Sequence, residues 1–315
     1  MDLKDKNVLI LGLGISGVST VKALNKLGAK IYITDSKSEE KLKKYLEEIK
    51  DIEVELYLGT NDISLENIDL IIKSPGVPLD VDIIKKANTK GIEIITDIEL
   101  AYRIRPNANF IAITGTNGKT TTTTLTGEYF KKSGTNTYVA GNIGVGILWD
   151  LVNSKEEDVF VIETSSFQLE STKDFSPKIS LILNITPDHL NWHGSLENYI
   201  DSKKKIFKNQ GKDKFTILNY DDLKLREMES EINSNIIWFS VNNNLSEGVC
   251  IENGYIVIKG NGKTQRIIAI DEIMLPGQHN LENVLGSIAI AWLMGLEFEI
   301  IREVLKSFPG VEHRT

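Results

Sequence analysis

The sequence predicts an α/β protein made of two successive parallel-sheet domains, and three observations carry that expectation. Short β-branched runs alternate with helical patterns from the N-terminus, the alternation breaks once and restarts, and each half has a glycine-rich segment between a strand and the helix that follows it. The length of 315 residues agrees, because it is long for one hydrophobic core and suits two domains of ~100–200 residues.

In the first half, residues 8–11, 31–34, 54–58, 70–72 and 92–95 read as strands, with helices over 18–27, 39–49 and 81–89 between them. A βαβ series of this kind winds right-handed crossovers and so builds a parallel, doubly wound sheet. Residues 101–109, with Pro106, Asn107 and Asn109, break the pattern and mark a boundary region, with the division placed at residue 98. The alternation restarts with a strand at 110–113, a helix over 119–132, and strands at 138–140, 159–162, 179–184 and 215–218. Residues 236–270 differ. Strands at 236–239, 249–251, 255–258 and 266–270, with turns at Asn253-Gly254 and Gly260-Asn261-Gly262, predict antiparallel hairpins added to the second sheet. Helices over 280–293 and 299–307 close this domain before Pro309-Gly310.

Composition bounds the function classes. Hydrophobic residues make up 41% and charged residues 25%, with 7 Pro against 24 Gly, which is the profile of an ordered globular protein. With 36 Lys and Arg against 44 Asp and Glu, the net charge of −8 argues against nucleic acid or an anionic membrane as the main partner, while leaving room for local phosphate pockets. The single cysteine, Cys250, excludes an intrachain disulfide or a Cys-based metal site and suits a reducing cytosol. The first apolar run, 8–11, is too short for a signal-peptide core, and the stretch 285–296 falls well below the ~20 residues of a membrane span, so it reads as a buried helix in a cytoplasmic protein.

Gly12-Leu13-Gly14-Ile15-Ser16-Gly17 follows the first strand, and Asp35 lies just past the second. Such glycines let backbone approach a diphosphate at a positive helix end, and such an acid accepts a ribose hydroxyl, so the N-terminal domain is Rossmann-like. On pattern alone NAD is the favoured nucleotide. In the second half, Gly115-Thr116-Asn117-Gly118-Lys119-Thr120 joins a strand to a helix. Its amides can wrap phosphates, Lys119 can neutralise β/γ charge and the Thr120 hydroxyl can ligate Mg²⁺, which makes the central domain P-loop ATPase-type although the spacing is two residues short of the common formula. Glu163 ends a strand, where a carboxylate can hold the Mg²⁺ that bridges ATP phosphates. His189 follows another strand and its turn. On the next helix Lys203 shares the apolar face of Leu196, Tyr199, Ile200, Ile206 and Phe207, while Lys204 and Lys205 point away. A buried lysine must pair, lose its proton or be modified, unless it snorkels to water.

Together these segments resemble the Mur ligase family over essentially the whole chain. The resemblance also rests on Ser74-Pro75-Gly76, Gly141-Asn142-Ile143-Gly144, the run from Glu163 to Leu169, the run from Asn184 to Leu190, Gly277 to Asn283, and His313-Arg314. The segment 165–169 and the N-terminus are similar to the D-glutamate-adding members. The resemblance implies an ATP-dependent ligase that joins D-glutamate to UDP-N-acetylmuramoyl-L-alanine through an acyl phosphate, and it replaces NAD with the UDP moiety. It implies that Ile15 and Ser16 lie near the diphosphate and Asp35, Ser36, Lys37, Ser74 and Gly76 near the uridine, with Asn142, Ser165, Gln168 and His189 along the muramoyl path. ATP would meet Gly115, Thr116, Asn117, Gly118, Lys119, Thr120 and Thr121, with Asn280, Asn283 and Arg314 completing the nucleotide site. One Mg²⁺ would sit on Thr120 and Glu163 and a second on His189 and a carbamylated Lys203. A monomer is expected. Because the family carries a third domain after the His-Arg pair, the resemblance implies domains at 1–98 and 99–310 with 311–315 opening a third, and a chain impaired or inactive as a ligase on its own.

Overall fold

The computed structural model describes residues 1–311. Five strands form the first sheet: β1 (Asn7–Leu11), β2 (Lys30–Asp35), β3 (Glu55–Leu58), β4 (Leu70–Lys73) and β5 (Glu93–Ile95). Their order is β3-β2-β1-β4-β5 and all pairings are parallel. β1 and β4 are almost continuously apolar and buried, the pattern of strands covered on both faces. The covering helices are α1 (Ile15–Lys26), α2 (Glu39–Glu47), α3 (Asp82–Thr89) and α4 (Asp97–Ile104). Leu9, Leu11 and Ile71 pack against Ile83, Ile84 and Ala87 of α3, each leucine and isoleucine contributing ~1.5–3 kcal/mol of burial. The strand order reverses beside β1, so the glycine loop that follows β1 lies at the switch point where open α/β sheets bind ligands.

α4 occupies the first part of 101–109, the stretch read as a break in the alternation. The helix runs to Ile104, and Arg105 leaves helical geometry (φ −137°, ψ 76°) ahead of Pro106, whose ring disfavours helix in the preceding residue. Residue 98 lies inside this helix.

The second sheet has nine strands: β6 (Asn109–Thr114), β7 (Thr137–Gly141), β8 (Val159–Glu163), β9 (Ile179–Ile182), β10 (Phe215–Asn219), β11 (Asn235–Ser240), β12 (Gly248–Glu252), β13 (Tyr255–Gly260) and β14 (Lys263–Ala269). The order is β14-β13-β12-β11-β10-β9-β6-β8-β7. β12, β13 and β14 are antiparallel neighbours as expected, and Asn253, Gly254, Asn261 and Gly262 all take positive φ, the requirement of tight hairpin turns. The strand at 236–239 departs from that expectation. It is β11, which runs parallel to β10 and to β12. The crossover between β10 and β11 holds a short helix, α10 (Leu223–Glu227), and a 3₁₀ turn, which gives the chain room to return in the same direction.

The remaining helices are α5 (Lys119–Lys132), α6 (Ile147–Asn153), α7 (Ser166–Glu170), α8 (Leu190–His193), α9 (Leu196–Lys204), α11 (Gln278–Leu293) and α12 (Phe298–Ser307). Leu125, Tyr129 and Phe130 of α5 join Val284, Leu285, Ile288 and Ala291 of α11 in the main core, and the Tyr129 hydroxyl meets Ser287 Oγ at 3.2 Å. The stretch at 285–296 thus lies largely in the buried helix predicted for it. Among the described residues no helix is long and apolar enough to cross a membrane.

The chain folds as two compact units that are not contiguous in sequence. Unit 1 comprises 1–107, 140–155 and 165–175, and unit 2 comprises 108–139, 156–164 and 176 onward. α6 and α7 therefore belong with the first sheet although they are encoded between strands of the second.

Candidate functional site

In unit 2 the loop 115–118 leaves the C-terminal end of β6 and opens α5. Gly118 is the N-cap of α5 at φ +83°, and a Cβ built there would collide with the Asn283 side chain. Glycine is thus required by both backbone angle and close approach. Asn283 is 3% exposed, and its Nδ2 donates to Asn280 Oδ1 at 2.9 Å. The loop is held from its other side by Asn184, whose Oδ1 accepts from the amides of Thr116 (3.1 Å) and Asn117 (2.9 Å) and whose Nδ2 donates to Asn117 O (3.2 Å).

Two lysines converge on one carbonyl of this loop. Lys119 Nζ donates to Gly115 O (3.1 Å) and Thr116 O (2.8 Å), and Lys203 Nζ donates to Gly115 O (2.9 Å) and Thr114 Oγ1 (3.3 Å). Lys203 is 2% exposed, as its place on the apolar face predicts, and its ammonium also stands 4.8 Å from the centre of the Tyr199 ring. Burial first, and then the charge of Lys119, push the Lys203 amine down to about 7, with Asp188 opposing. Burial also lowers Lys119, against the pull of Glu163 and Asp188. Thr120 Oγ1 donates to Glu163 Oε2 at 2.8 Å, and Glu163, at the end of β8, is 2% exposed. His189 caps α8 at φ +50° and pairs with Asp188 at 3.4 Å. Thr121 lies in the first turn of α5 beside Thr120. Thr122 and Thr123 are buried.

Mg²⁺ is bound by one or two carboxylates together with substrate phosphates and water, so a single buried carboxylate beside a hydroxyl suits it. Among the described residues no three His, Cys, Asp or Glu side chains gather as a metal cluster. His313 and Arg314 lie outside the described residues.

In unit 1 the glycine loop packs tightly. Gly12 takes φ +97° and donates its N–H to Thr34 O (2.8 Å), and a Cβ on Gly17 would lie 2.7 Å from Gly12 O. Gly14, the N-cap of α1, faces open space, and Ile15 beside it is 46% exposed. Asp35 takes a role that its position past β2 did not reveal. Its two carboxylate oxygens accept from the amides of Leu13 and Lys37, each at 2.8 Å. The acid therefore ties the glycine loop to the segment containing Ser36 and Lys37. Ser74 Oγ donates to Gly12 O (2.8 Å), and Gly76 borders open space. Asn142 is exposed just after β7. Ser165 and Gln168 form a capping box, with Ser165 N donating to Gln168 Oε1 (3.0 Å) and Gln168 N to Ser165 Oγ (3.3 Å).

The grouping is informative. Ile15, Ser16, Asp35, Ser36, Lys37, Ser74, Gly76, Asn142, Ser165 and Gln168 all belong to unit 1, whereas residues 115–121, Glu163, His189, Lys203, Asn280 and Asn283 all belong to unit 2. Sequence reasoning missed Asn184 and Tyr199 as loop supports. Asn184 had a signal, an amide that ends the apolar run 179–184, but Tyr199 read only as part of an apolar helix face. Its hydroxyl meets Thr116 Oγ1 at 3.0 Å.

Comparison with known proteins adds to this geometry. The profile of the Mur ligase middle domain matches residues 113–291, and that of the MurD-like N-terminal domain of Mur ligases matches residues 6–96. UDP-N-acetylmuramoylalanine–D-glutamate ligase of Alkaliphilus oremlandii is 48% identical over all of this chain and 70% of its own length. The enzyme of the same name from Clostridioides difficile is 47% identical, with 100% of this chain and 70% of its own length covered. Among solved structures, UDP-N-acetylmuramate:L-alanyl-gamma-D-glutamyl-meso-diaminopimelate ligase from Neisseria meningitides superposes with TM-score 0.68 at 18% identity, covering 98% of this chain and 99% of that one. MurF ligase from Thermotoga maritima, solved with ADP, gives 0.54 at 15% identity over 97% and 66% of the two chains.

Proposed function

The chain belongs to the Mur ligase family of ATP-dependent, ADP-forming amide ligases, and we propose that its reaction is the addition of D-glutamate to UDP-N-acetylmuramoyl-L-alanine in peptidoglycan precursor synthesis. The observation that carries this reading is the 48% identity over the full chain to a ligase of that name, joined to a phosphate loop with its lysines and carboxylate in place.

Unit 1 takes the UDP end of the substrate. The open N-terminus of α1 at Gly14, Ile15 and Ser16 offers amides and a positive dipole end to the diphosphate. Ser36, Lys37, Ser74 and Gly76 border the uridine, with Asp35 holding the loop in shape, while Asn142, Ser165 and Gln168 line the muramoyl path. Unit 2 takes ATP on Gly115–Thr121, with Asn280 and Asn283 toward the adenosine. Arg314 belongs to the same proposal.

The chemistry needs activation because a carboxylate is anionic and lacks a leaving group. A carboxylate oxygen of the substrate L-alanyl end attacks the γ-phosphorus, the bond to the β-phosphate oxygen breaks, and an acyl phosphate and ADP result. The D-glutamate amine then adds to the acyl carbon, loses a proton and expels phosphate. Lys119 holds its charge against the phosphoryl group in transfer, exchanging its two loop carbonyls for phosphate oxygens. Thr120 with Glu163, and His189 with a carbamylated Lys203, would hold two Mg²⁺, whose bound chemistry is to screen the phosphates and the substrate carboxylate. Carbamylation joins the lone pair of the Lys203 amine to CO₂ and releases one proton. The near-complete burial of that amine supports it, since the product is an anion that a metal can pair.

Measured on the full-length protein, ADP release that requires both UDP-N-acetylmuramoyl-L-alanine and D-glutamate is the expected result. Binding of both nucleotides with no turnover under any amino acid would replace the ligase with a nucleotide-binding module. Intact mass with a carbamate, or rescue of Lys203→Ala by short carboxylic acids, tests the modification.

A further inference from the structure

The backbone pairing of β6 with β9 continues past the two strands and then stops. Leu183 N donates to Thr114 O (3.0 Å) and Thr116 N to Asn184 O (3.0 Å), after which the first of the two chain segments turns into the phosphate loop and α5. At that point a side chain takes over. The Thr116 hydroxyl accepts from the N–H of Thr186 (3.0 Å) and donates to the Thr186 carbonyl (3.1 Å), meeting both backbone groups of one residue as a neighbouring strand does. Its third contact is the Tyr199 phenol oxygen at 3.0 Å. A threonine hydroxyl has one proton to give and room to accept two. With that proton on Thr186 O, Thr116 accepts from Thr186 N–H and from Tyr199 O–H, and its capacity is used in full.

Each partner leads to a residue of the site. Thr186 is followed by Pro187, which has no N–H to offer, and then by Asp188 and His189, whose backbone is bonded locally. His189 N donates to Asp188 Oδ1 (2.8 Å), and the His189 carbonyl accepts from Trp192 (3.0 Å) and His193 (3.1 Å). Tyr199 is 1% exposed and precedes Lys203 by one turn on α9. At one oxygen the phosphate loop thus joins the turn that carries His189 and the helix that carries Lys203.

We propose that the Thr116 hydroxyl is a positioning group that holds the nucleotide loop in register with His189 and Lys203, and that it acts on phosphoryl transfer rather than on ATP binding. In-line transfer needs the attacking oxygen ~3–3.5 Å from the phosphorus, and a misplacement of ~1 Å costs on the order of 10²-fold in rate. Loop amides and Lys119 fix the phosphates, whereas on the reading above His189 and Lys203 stand beside the acceptor carboxylate. The separation of the two reactants is set by neither group alone but by the join between the elements that carry them. Because the hydroxyl is spent on Thr186 and Tyr199, the phosphates are left to the amides of the loop and of the first turn of α5. The inference rests on the assignment of ATP to this loop.

Thr116→Val keeps the shape and removes the hydroxyl, Thr116→Ser keeps the hydroxyl, and Tyr199→Phe removes one of its partners. In the full-length protein we expect Thr116→Val to lose ~10²-fold in kcat for ADP release while the Kd for a non-hydrolysable ATP analogue, measured by calorimetry, stays as it was. Thr116→Ser should recover most of the rate. Tyr199→Phe should lose ~10-fold, again in kcat, and add little to Thr116→Val because the two share one hydrogen bond. Amide hydrogen exchange supplies a readout independent of turnover: the analogue should slow exchange in 115–121 and in 184–190 of the wild type and Thr116→Ser, but only in 115–121 of Thr116→Val. If Thr116→Val does not fold, Tyr199→Phe decides by the same split between kcat and Kd. If the wild type binds the analogue without turnover, the exchange pattern decides. An unchanged kcat in Thr116→Val, an analogue affinity that falls as far as the rate, no recovery in Thr116→Ser, or slowing at 184–190 that is absent from the wild type or survives in Thr116→Val overturns the proposal while the ATP site stands. A wild type that does not bind the analogue removes the ATP assignment and this inference with it.

Discussion

The two glycine loops, 12–17 in unit 1 and 115–119 in unit 2, meet the same steric demand and differ in charge. Both use positive-φ glycines and close backbone approach to clear space at a helix N-terminus. The first contains no lysine, and its amide at Leu13 is occupied by the Asp35 carboxylate. The second brings two lysine amines to the carbonyl of Gly115. A diphosphate that stays intact through a reaction needs only shape and dipoles, whereas a phosphoryl group in transfer needs mobile positive charge close by. On the proposed reading the difference is one of task, with unit 1 holding the substrate and unit 2 supplying the chemistry.

The sharpest break of that contrast is Lys119→Ala. It should lower acyl-phosphate formation ~10³–10⁵-fold while leaving UDP-substrate affinity as it was, measured by chemical trapping and calorimetry. Equal loss of both would show that the two sites are not separate in function. In unit 1 the corresponding weak point is scaffolding. Glu99 is fully buried and accepts from the amides of Lys173, Asp174 and Phe175 and from Arg103 Nε, so it clamps the segment that carries Ser165 and Gln168 onto α4. Glu99→Ala should cost ~3–5 kcal/mol in denaturant unfolding, and a loss below ~1 kcal/mol would remove Glu99 as the clamp.

Gly118→Ala should follow, at ~2–3 kcal/mol of stability, from a left-handed backbone and the collision with Asn283. Its ATP affinity should fall further than its affinity for the UDP-substrate. Smallest is Asp35→Asn. The amide keeps one acceptor oxygen for the Leu13 and Lys37 amides but loses the charge, so ~1–2 kcal/mol is expected in thermal unfolding, with the effect on UDP-substrate binding alone. A shift in ATP affinity would contradict the division between the units.

Much of this was legible in the residues because the relevant signals are local. Strand and helix periods, turn pairs such as Asn253-Gly254, and the ordered series strand, Gly-rich loop, Lys119, Thr120, helix are written in neighbours along the chain. So is the face of α9 that buries Lys203. α4 was not legible because an eight-residue helix gives barely two turns in which a period can show, and Pro106 marks only where it must stop. The parallel run of β11 escaped because turn residues announce hairpins but a crossover through irregular structure has no comparable signature. Asn184 and Asp35 could be suspected of importance, yet their work is done by hydrogen bonds to amides distant in sequence.

By itself the sequence determined the element series, the two nucleotide-loop geometries and the family resemblance, since all of these depend on residue types at short fixed spacings. The tertiary structure decided which distant segments share a unit, that α6 and α7 pack with the first sheet, that two lysines meet at Gly115, and that Lys73 and Asp97 are buried within unit 1. The reason is physical. Burial and electrostatic pairing depend on strand order and on which surfaces close against each other, and a charged residue reads the same along the chain whether folding leaves it in water or removes it.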